Sequence, residues 1–208
     1  MGPTVAAGIA LLGVLTIVAY GSWYYGFGVL VGDISHDLQS PDRTMVIGFG
    51  LANVLTGVLG AFAGRNLDHH GIRRIFLVGG FAGGGLLAAS SWMSTPWSFA
   101  VVFGLAGGLI GATGFYSITQ AVAARTSPGA PARAITRLTI WGALSSPLFI
   151  PATEAARRSW GWRTTLRLDA AIVVVAFVAA IASDPSRTAM ADRPSQLWRP
   201  CCSIRFGS

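Results

Sequence analysis

Uncharged hydrogen-bonding side chains recur inside the apolar runs of this sequence, at spacings that suit the binding of a small molecule. Tyr116 and Gln120 are four residues apart, as are Tyr20 and Tyr24, so each pair shares one face of a helix. Asn53 adds an amide group in another run. Such groups inside a membrane tend to face a cavity, because lipid offers them no hydrogen bonds. The alternatives are hydrogen bonds between helices, or a belt of tyrosines at the membrane surface.

Two arginines, Arg133 and Arg137, are also four residues apart and lie where the fifth apolar run begins. A guanidinium group pairs strongly with carboxylates and phosphates. Arg137 is therefore a candidate contact for an anionic solute. The alternative is that both arginines only fix the orientation of the chain in the membrane.

One charged stretch between two apolar runs is residues 64–74, which contain Asp68 and three arginines. An aspartate at the centre of a bilayer would cost roughly 2.5–3.5 kcal/mol, so these charges belong at an aqueous face. There Asp68 can accept hydrogen bonds from arginine side chains or from the exposed N–H groups of a helix start. His69 and His70 point in different directions and have no further ligand nearby in the sequence, so the stretch does not predict a metal site.

The composition predicts that most of the chain lies in a membrane. Of its 208 residues, 52% are hydrophobic and 11% are charged, against roughly 25% charged in soluble domains. A soluble core of this size has no use for so much apolar surface, whereas a bilayer does. The net charge of +7 comes from 15 arginines. These are spread over loops and a tail, without the interleaved aromatic residues of a nucleic-acid groove, so no nucleic-acid partner is expected.

Six apolar runs approach the about 20 helical residues needed to cross the ~30 Å hydrocarbon layer. The sequence thus predicts an all-α integral membrane bundle of about six transmembrane helices within residues 1–183. Residues 184–208 are polar and aperiodic, and are interpreted as a disordered tail or as the product of a shifted reading frame after Ser183. The predicted helices are 5–31, 44–63, 75–93, 97–124, about 135–152 and about 166–182, with polar loops between them.

Arginine placement predicts a multi-pass protein of the cell membrane with its amino terminus in the cytoplasm. The loop between the fifth and sixth runs opposes this orientation, since it places Arg157, Arg158 and Arg163 on the outer side. Cys201 and Cys202 lie in the tail and predict no disulfide framework.

Many of the 27 glycines lie inside the apolar runs, often four residues apart. This spacing puts two small residues on one helix face and lets neighbouring backbones approach closely. A nucleotide-binding glycine loop would need a preceding strand, which the sequence does not predict. The pairs are Gly79/Gly83, Gly80/Gly84, Gly104/Gly108 and Gly107/Gly111.

The pattern Gly64-x-x-x-Asp68-x-x-Gly71-x-Arg73-Arg74, set between two apolar runs, resembles the cytoplasmic signature between helices two and three of the major facilitator superfamily. The likeness covers residues 5–183, one six-helix half of a fold that has two. The sequence departs from the family where the residue after Asp68 is usually basic, and it lacks the arginine that many relatives carry inside helix four.

Smaller likenesses point to one branch of that family. Gly161-Trp162-Arg163 precedes the sixth run, residues 25–29 read Tyr-Gly-Phe-Gly-Val, and the fifth run carries Pro147 and Pro151. Together these resemble the monocarboxylate-porter and oxalate/formate-antiporter branch.

The resemblance implies roles for individual residues. The matching aspartate in the family helps to latch the two halves in one state, which implies the same role for Asp68, supported by Arg73 and Arg74. Arg125, at the inner end of the fourth run, is a candidate partner for Asp68. The alternative is that all of these charges only set topology.

Helices one, two, four and five line the central cavity in the family. The resemblance therefore places the cavity candidates on those helices. They are Tyr24, Asn53, Tyr116, Gln120 and Arg137.

The sequence thus predicts secondary active transport of a small solute by alternating access, with an organic anion such as a monocarboxylate as the solute. A second six-helix half or a second copy of the chain would complete the pathway, and no cofactor is expected. One alternative is a non-transporting structural or regulatory membrane subunit. Another is a membrane-embedded enzyme, but the sequence has no HExxH or GxSxG motif and no histidine inside a predicted helix.

Overall fold

The computed structural model describes residues 3–127 and 129–183, and the regular secondary structure in these residues is entirely helical. Two short π-helical turns interrupt the first and third membrane segments. The helices are α1 (Pro3–Ala19), α2 (Gly26–Asp37), α3 (Asp42–His70), α4 (Ile72–Leu77), α5 (Gly84–Ser90), α6 (Pro96–Gly114), α7 (Tyr116–Thr126), α8 (Pro131–Ala143) and α9 (Ser145–Ala182), with π-helical turns at Tyr20–Tyr25 and Val78–Gly83.

Five helical spans of the described chain are long and apolar enough to cross a membrane. The fifth, Pro131–Ala182, has 52 residues, which is about 78 Å at 1.5 Å per residue and more than twice the ~30 Å hydrocarbon layer. Gly161 interrupts it with φ 74° and ψ 165°. The span therefore contains two crossings.

Contacts on the two sides of Gly161 show that the chain reverses there. Before it, Ser145 donates to the carbonyl of Ile17 and Arg157 pairs with Asp33, so this part runs parallel to the first segment. After it, Arg163 donates to the carbonyl of Ser91, and Val174 lies against Gly84, so the last part runs antiparallel to the third.

The predicted all-α bundle of about six membrane helices is thereby confirmed. We number the crossings as segments I (3–37), II (42–70), III (72–90), IV (96–126), V (131–160) and VI (162–182).

Helices continue further than the apolar runs predicted. The polar loop expected from Asp33 is helical to Asp37, and the charged turn expected at 64–74 is helical up to Gly71, where φ is 74°. The predicted loop between segments V and VI is helical to residue 160. Hydropathy marks where lipid ends, whereas a helix continues into the polar layer as long as its side chains are solvated or paired.

Glycines allow the segments to pack closely, as their spacing predicted. A methyl group on Gly48 of segment II would lie 2.8 Å from the carbonyl oxygen of Ala100 in segment IV, and one on Gly108 would lie 2.7 Å from Leu55. Segments II and IV therefore lie backbone to backbone. At each glycine of the four predicted pairs, a neighbouring segment likewise occupies the space where a side chain would lie. Segments IV and VI do so at Gly79, Gly80, Gly83 and Gly84, and segments I and II at Gly104, Gly107, Gly108 and Gly111.

Segments II and IV differ in how much of their surface the described chain covers. In the most apolar stretch of segment IV, 72% of the residues are buried, whereas in the most apolar stretch of segment II only 17% are. Large apolar side chains of segment II are exposed, including Ile47, Val54 and Phe62. Segment IV is thus the centre of the bundle, and segment II lies at its edge.

One end of the bundle is held by ion pairs between segments that are distant in sequence. Arg157 of segment V donates to both oxygens of Asp33 in segment I at 2.9 and 2.7 Å, and also pairs with Glu154 at 2.8 Å. Arg163 of segment VI pairs with Asp37 at 2.9 Å. We call this the Asp33 end. The arginines that opposed the predicted orientation are therefore largely balanced by carboxylates.

Candidate functional site

Two irregularities in neighbouring segments meet near the middle of the bundle. Segment I widens into the π-helical turn Tyr20–Tyr25, and segment IV breaks at Phe115, where φ is −79° and ψ is 173°. The Tyr20 ring stacks on the Phe115 ring with centroids 3.8 Å apart and planes 6° apart. Helix irregularities inside a membrane are tolerated where protein or a water-filled cavity satisfies the backbone. π-Turns are frequent at functional sites.

Aromatic side chains gather around this meeting point. The rings of Tyr20 and Tyr116 lie 5.2 Å apart, and those of Tyr20 and Tyr24 lie 6.0 Å apart in an edge-to-face arrangement. Tyr25 follows at 5.4 Å from Tyr24, so all four tyrosines of the chain are in this region. Tyr24 remains 37% exposed. We call the surface formed by Tyr20, Tyr24, Phe115, Tyr116, Gln120 and Thr139 the aromatic face.

Hydrogen bonds join segments IV and V along the same surface. The Tyr116 hydroxyl donates to the backbone carbonyl of Thr139 at 3.4 Å, and the Gln120 amide donates to the Thr139 hydroxyl at 3.3 Å. Both distances are long for their donor types. The predicted pair Tyr116 and Gln120 therefore shares a partner and is weakly held, which leaves both groups able to bind a solute instead.

Asn53 lies on segment II beside this surface. Its amide donates to the carbonyl of Phe49, one turn earlier, at 2.8 Å, and its side chain is exposed. Phe49 lies 5.2 Å from the Tyr24 ring. Asn53 is thus one helical turn from the aromatic face.

Arg137 lies on segment V but not on the same flank as Thr139. Side chains two residues apart on an α-helix point in directions about 200° apart around its axis. Arg137 and Thr139 therefore lie on opposite sides of the buried face of α8. Arg137 is exposed. The structure thus brings Tyr24, Tyr116 and Gln120 together, with Asn53 adjacent and Arg137 separate.

The predicted switch loop is a tight turn between α3 and α4. Gly71 has a positive φ of 74°, which a residue with a side chain rarely adopts, and Gly64 lies within α3. Arg73 and Arg74 are exposed in the first turn of α4. Arg125 is exposed in the last turn of α7. The side chain of Asp68 lies outside the described residues, so its predicted pairing with Arg125 stays a prediction.

An apolar groove of about 300 Å³ lies near this turn, between segments II, III and IV. Asn66, Arg74 and Thr113 are its polar lining residues, and Phe62 and Val78 are among its apolar ones. None of the predicted cavity residues lines it. The groove and the aromatic face are therefore separate features.

Two features at the centre of the bundle were missed by the sequence analysis. Tyr20 and Phe115 carry the contact between the π-turn and the break, and no local pattern indicated that they would meet. Asp169 of segment VI is 5% exposed, and its Oδ2 atom has no hydrogen-bond partner. A signal for it was present, because Asp169 is a charged residue inside the sixth apolar run.

The aromatic face offers ring surfaces, hydroxyl groups and an amide. Such groups can bind a small solute by stacking and hydrogen bonding. The described acidic residues lie elsewhere, at the Asp33 end or, for Asp169, buried in segment VI. The face therefore offers both donors and acceptors of hydrogen bonds, and none of the described acidic side chains forms part of it.

A family model described as Major Facilitator Superfamily matches residues 11–205. No curated protein and no solved structure matches the chain.

Proposed function

This chain belongs to the major facilitator superfamily, whose members carry small solutes across membranes, and we propose that its aromatic face forms one wall of the solute pathway. The observation that carries this proposal is the meeting of the π-turn at Tyr20–Tyr25 with the break of segment IV at Phe115, stacked at 3.8 Å. Interrupted helices near the membrane midplane commonly form the solute sites of secondary transporters.

The solute we propose is a small organic anion such as a monocarboxylate. A carboxylate accepts hydrogen bonds from hydroxyl and amide groups, which Tyr24, Tyr116, Gln120 and Asn53 supply. Their present bonds, at 3.3 and 3.4 Å for Gln120 and Tyr116, are weak enough to be exchanged for a charged acceptor. Arg137, on the other flank of α8, would attract an anion toward the pathway.

Alternating access needs a second bundle, which we propose is another six-helix half or a second copy of this chain. The poor coverage of segment II supports this, since its apolar side chains Ile47, Val54 and Phe62 are exposed. A surface that contacts both lipid and a partner bundle would expose apolar side chains in this way.

The turn between segments II and III would then act as the conformational switch. Gly71 fixes the turn, and Arg73 and Arg74 present two cations to whatever lies across from it. We propose that Asp68, supported by these arginines and by Arg125, latches the bundles in one state of the cycle. Gly64 would allow a second helix to approach α3, because no atom lies within 4 Å of a methyl group built on it.

The test is uptake by the purified full chain in liposomes. Labelled monocarboxylates and oxalate are the trial solutes, and a neutral sugar is the control. Accumulation of a carboxylate supports the proposal. A well-folded chain that neither takes up nor binds any of them would favour the alternative, a structural or regulatory membrane subunit.

Two asparagines of segment II provide a matched pair for locating the pathway. Asn53 and Asn66 both donate to the carbonyl four residues earlier, at 2.8 and 3.1 Å, and both are exposed. Asn53→Ala should weaken binding of the transported carboxylate about tenfold, since a hydrogen bond to a charged group is lost. Asn66→Ala should leave binding unchanged. Equal effects of the two substitutions would remove Asn53 from the pathway.

A further inference from the structure

Asp169 is a buried carboxyl group that the proposed pathway does not use. It lies on segment VI with 5% exposure. It is seven residues after Trp162, so it is about 10 Å deeper in the bundle than the start of that segment. Its Oδ2 atom forms no hydrogen bond. Gly26 of segment I lies close by, since a methyl group built on it would lie 3.7 Å from that oxygen.

The positive charges closest to Asp169 in the sequence are engaged elsewhere. Arg167 donates to the Ser91 hydroxyl at 2.9 Å and lies over the Trp92 ring. Arg163 pairs with Asp37 at the Asp33 end. No ion pair to Asp169 is present among the described residues.

The segments packed against segment VI add little that could neutralise Asp169. On segment I, the titratable residues nearest to Gly26 in the chain are Tyr24 and Tyr25. Segment III has no titratable residue between Ile75 and Ser90. On segment V, Arg157 and Arg158 both pair with Glu154. Asp169 thus lies in a region without a compensating charge.

Burial without a partner favours the neutral acid. An isolated carboxylate ion in an apolar interior loses its hydration and gains nothing in return, so the group takes up a proton instead. Ionised Asp169 could be accommodated only if segments I and VI separate enough to admit water. The packing of these two segments and the protonation of Asp169 are therefore linked.

The element opposite Asp169 is suited to such a movement. Gly26 follows directly after the π-helical turn Tyr20–Tyr25. A π-turn is a local departure from regular α-helical hydrogen bonding. Segment I can therefore change its path at this turn without unfolding the rest of the helix.

We infer that the Asp169 carboxyl is a proton-binding site whose occupancy decides whether segment VI packs against segment I at Gly26. With the proton bound, the carboxyl is neutral and the two segments stay in contact. Without it, the carboxylate becomes hydrated and the contact opens. If the chain transports as proposed above, the proton bound here would be the coupling ion, and that consequence alone rests on the proposed function.

The sign of the pH dependence follows from linkage. The packed state holds one proton that the open state releases, so raising the pH favours the open state. Above the pH at which the carboxyl ionises, the open population should rise about tenfold per pH unit. Asp169→Asn keeps the shape of the neutral acid, removes the titration, and should stay packed at every pH.

The first measurement is infrared spectroscopy of the full chain in lipid nanodiscs, with aspartate labelled at its carboxyl carbon. A neutral, buried carboxylic acid should be visible at neutral pH and should disappear on raising the pH. Asp37→Asn, at an exposed ion pair, is the control and should leave this signal unchanged. Absence of a neutral carboxyl signal in the wild-type chain would overturn the inference without any variant.

The second measurement is amide hydrogen exchange in residues 20–30 and 162–176, comparing the wild-type chain with Asp169→Asn at the same pH. The two should exchange alike at acidic pH, and the wild type should exchange faster at alkaline pH by about tenfold per pH unit. Identical exchange at every pH would overturn the inference. Neither measurement depends on solute uptake, so failure of the proposed transport would be seen separately.

Discussion

The contact between segments II and IV and the aromatic face share helices but are built in opposite ways. In the first, Gly48 and Gly104 bring two backbones together, with the Gly48 carbonyl oxygen 3.0 Å from where a methyl group on Gly104 would lie. In the second, Tyr20 and Phe115 stack where both helices are irregular. The first has no spare room and few polar side chains. The second has weakly held hydrogen-bonding groups and an open side.

This difference separates stability from function within one six-helix bundle. Helices in lipid gain little from the hydrophobic effect on pairing, so van der Waals contact between close backbones holds them together. A solute pathway needs the reverse, namely exposed polar groups and helices that can change shape. Substitutions in the close contact should therefore affect folding, and substitutions on the aromatic face should affect binding.

The largest effect is expected for Gly48→Val. The new side chain would place carbon 2.8 Å from the Ala100 carbonyl oxygen and 2.9 Å from its Cα, and a backbone cannot move aside as a flexible side chain can. We expect a loss of about 3 kcal/mol or more in the free energy of unfolding. The measurement is unfolding in a denaturing detergent, followed by circular dichroism.

Gly50→Val is the matched control for that experiment. Gly50 lies two residues further along the same helix, and a methyl group placed on it would have no atom within 4 Å. The change in helix propensity is the same, but no overlap arises. Similar destabilisation by both substitutions would show that propensity, and not the contact between segments II and IV, explains the loss.

An intermediate effect is expected at the Asp33 end, which is polar like the aromatic face but holds segments together. Arg157 joins segments I and V through Asp33 and Glu154, and its side chain is 25% exposed. Arg158 pairs only with Glu154 and is 74% exposed. Arg157→Met should lower the melting temperature by a few degrees, and Arg158→Met should lower it less, because exposed pairs contribute little.

Salt provides an independent check on that ranking. Added salt screens exposed ion pairs, so the difference between the two variants should narrow as salt increases. Equal melting temperatures at low salt would mean that the Asp33 end does not hold segments I and V together.

The sequence predicted the helices and their close packing because these are local properties. Apolar runs mark crossings regardless of what surrounds them, and glycines four residues apart must share a face on any helix. The same reasoning misplaced the helix ends at Asp37 and Gly71. Charged residues there lie beyond the hydrocarbon layer but are still helical. Hydropathy indicates the edge of that layer and not the end of the helix.

The rest depends on which segments touch, and one sequence does not contain that information. Arg157 and Asp33 are 124 residues apart, and Tyr20 meets Phe115 only because segment I crosses segment IV at that depth. Tyr116 and Gln120 were found because their pairing is local. Asp169 could have been singled out as a charge inside an apolar run, but its lack of a partner is visible only in the folded chain.

The smallest effect on stability is expected for Tyr116→Phe, on the aromatic face. The lost hydroxyl donates at 3.4 Å to the Thr139 carbonyl, so the free energy of unfolding should change by no more than about 0.5 kcal/mol. Binding of a carboxylate solute should nevertheless weaken about tenfold, since that hydroxyl is proposed to donate to a charged acceptor. The measurement is equilibrium binding of the solute identified in the liposome assay.

Asn66→Ala is the control, because Asn66 is exposed on segment II and lines the separate apolar groove, not the aromatic face. It should leave both stability and binding unchanged. If Tyr116→Phe lowered stability as much as Gly48→Val, the aromatic face would be part of the packing that holds the bundle, and the division between the two regions would fail. If it changed neither quantity, the solute would have to bind elsewhere in the bundle.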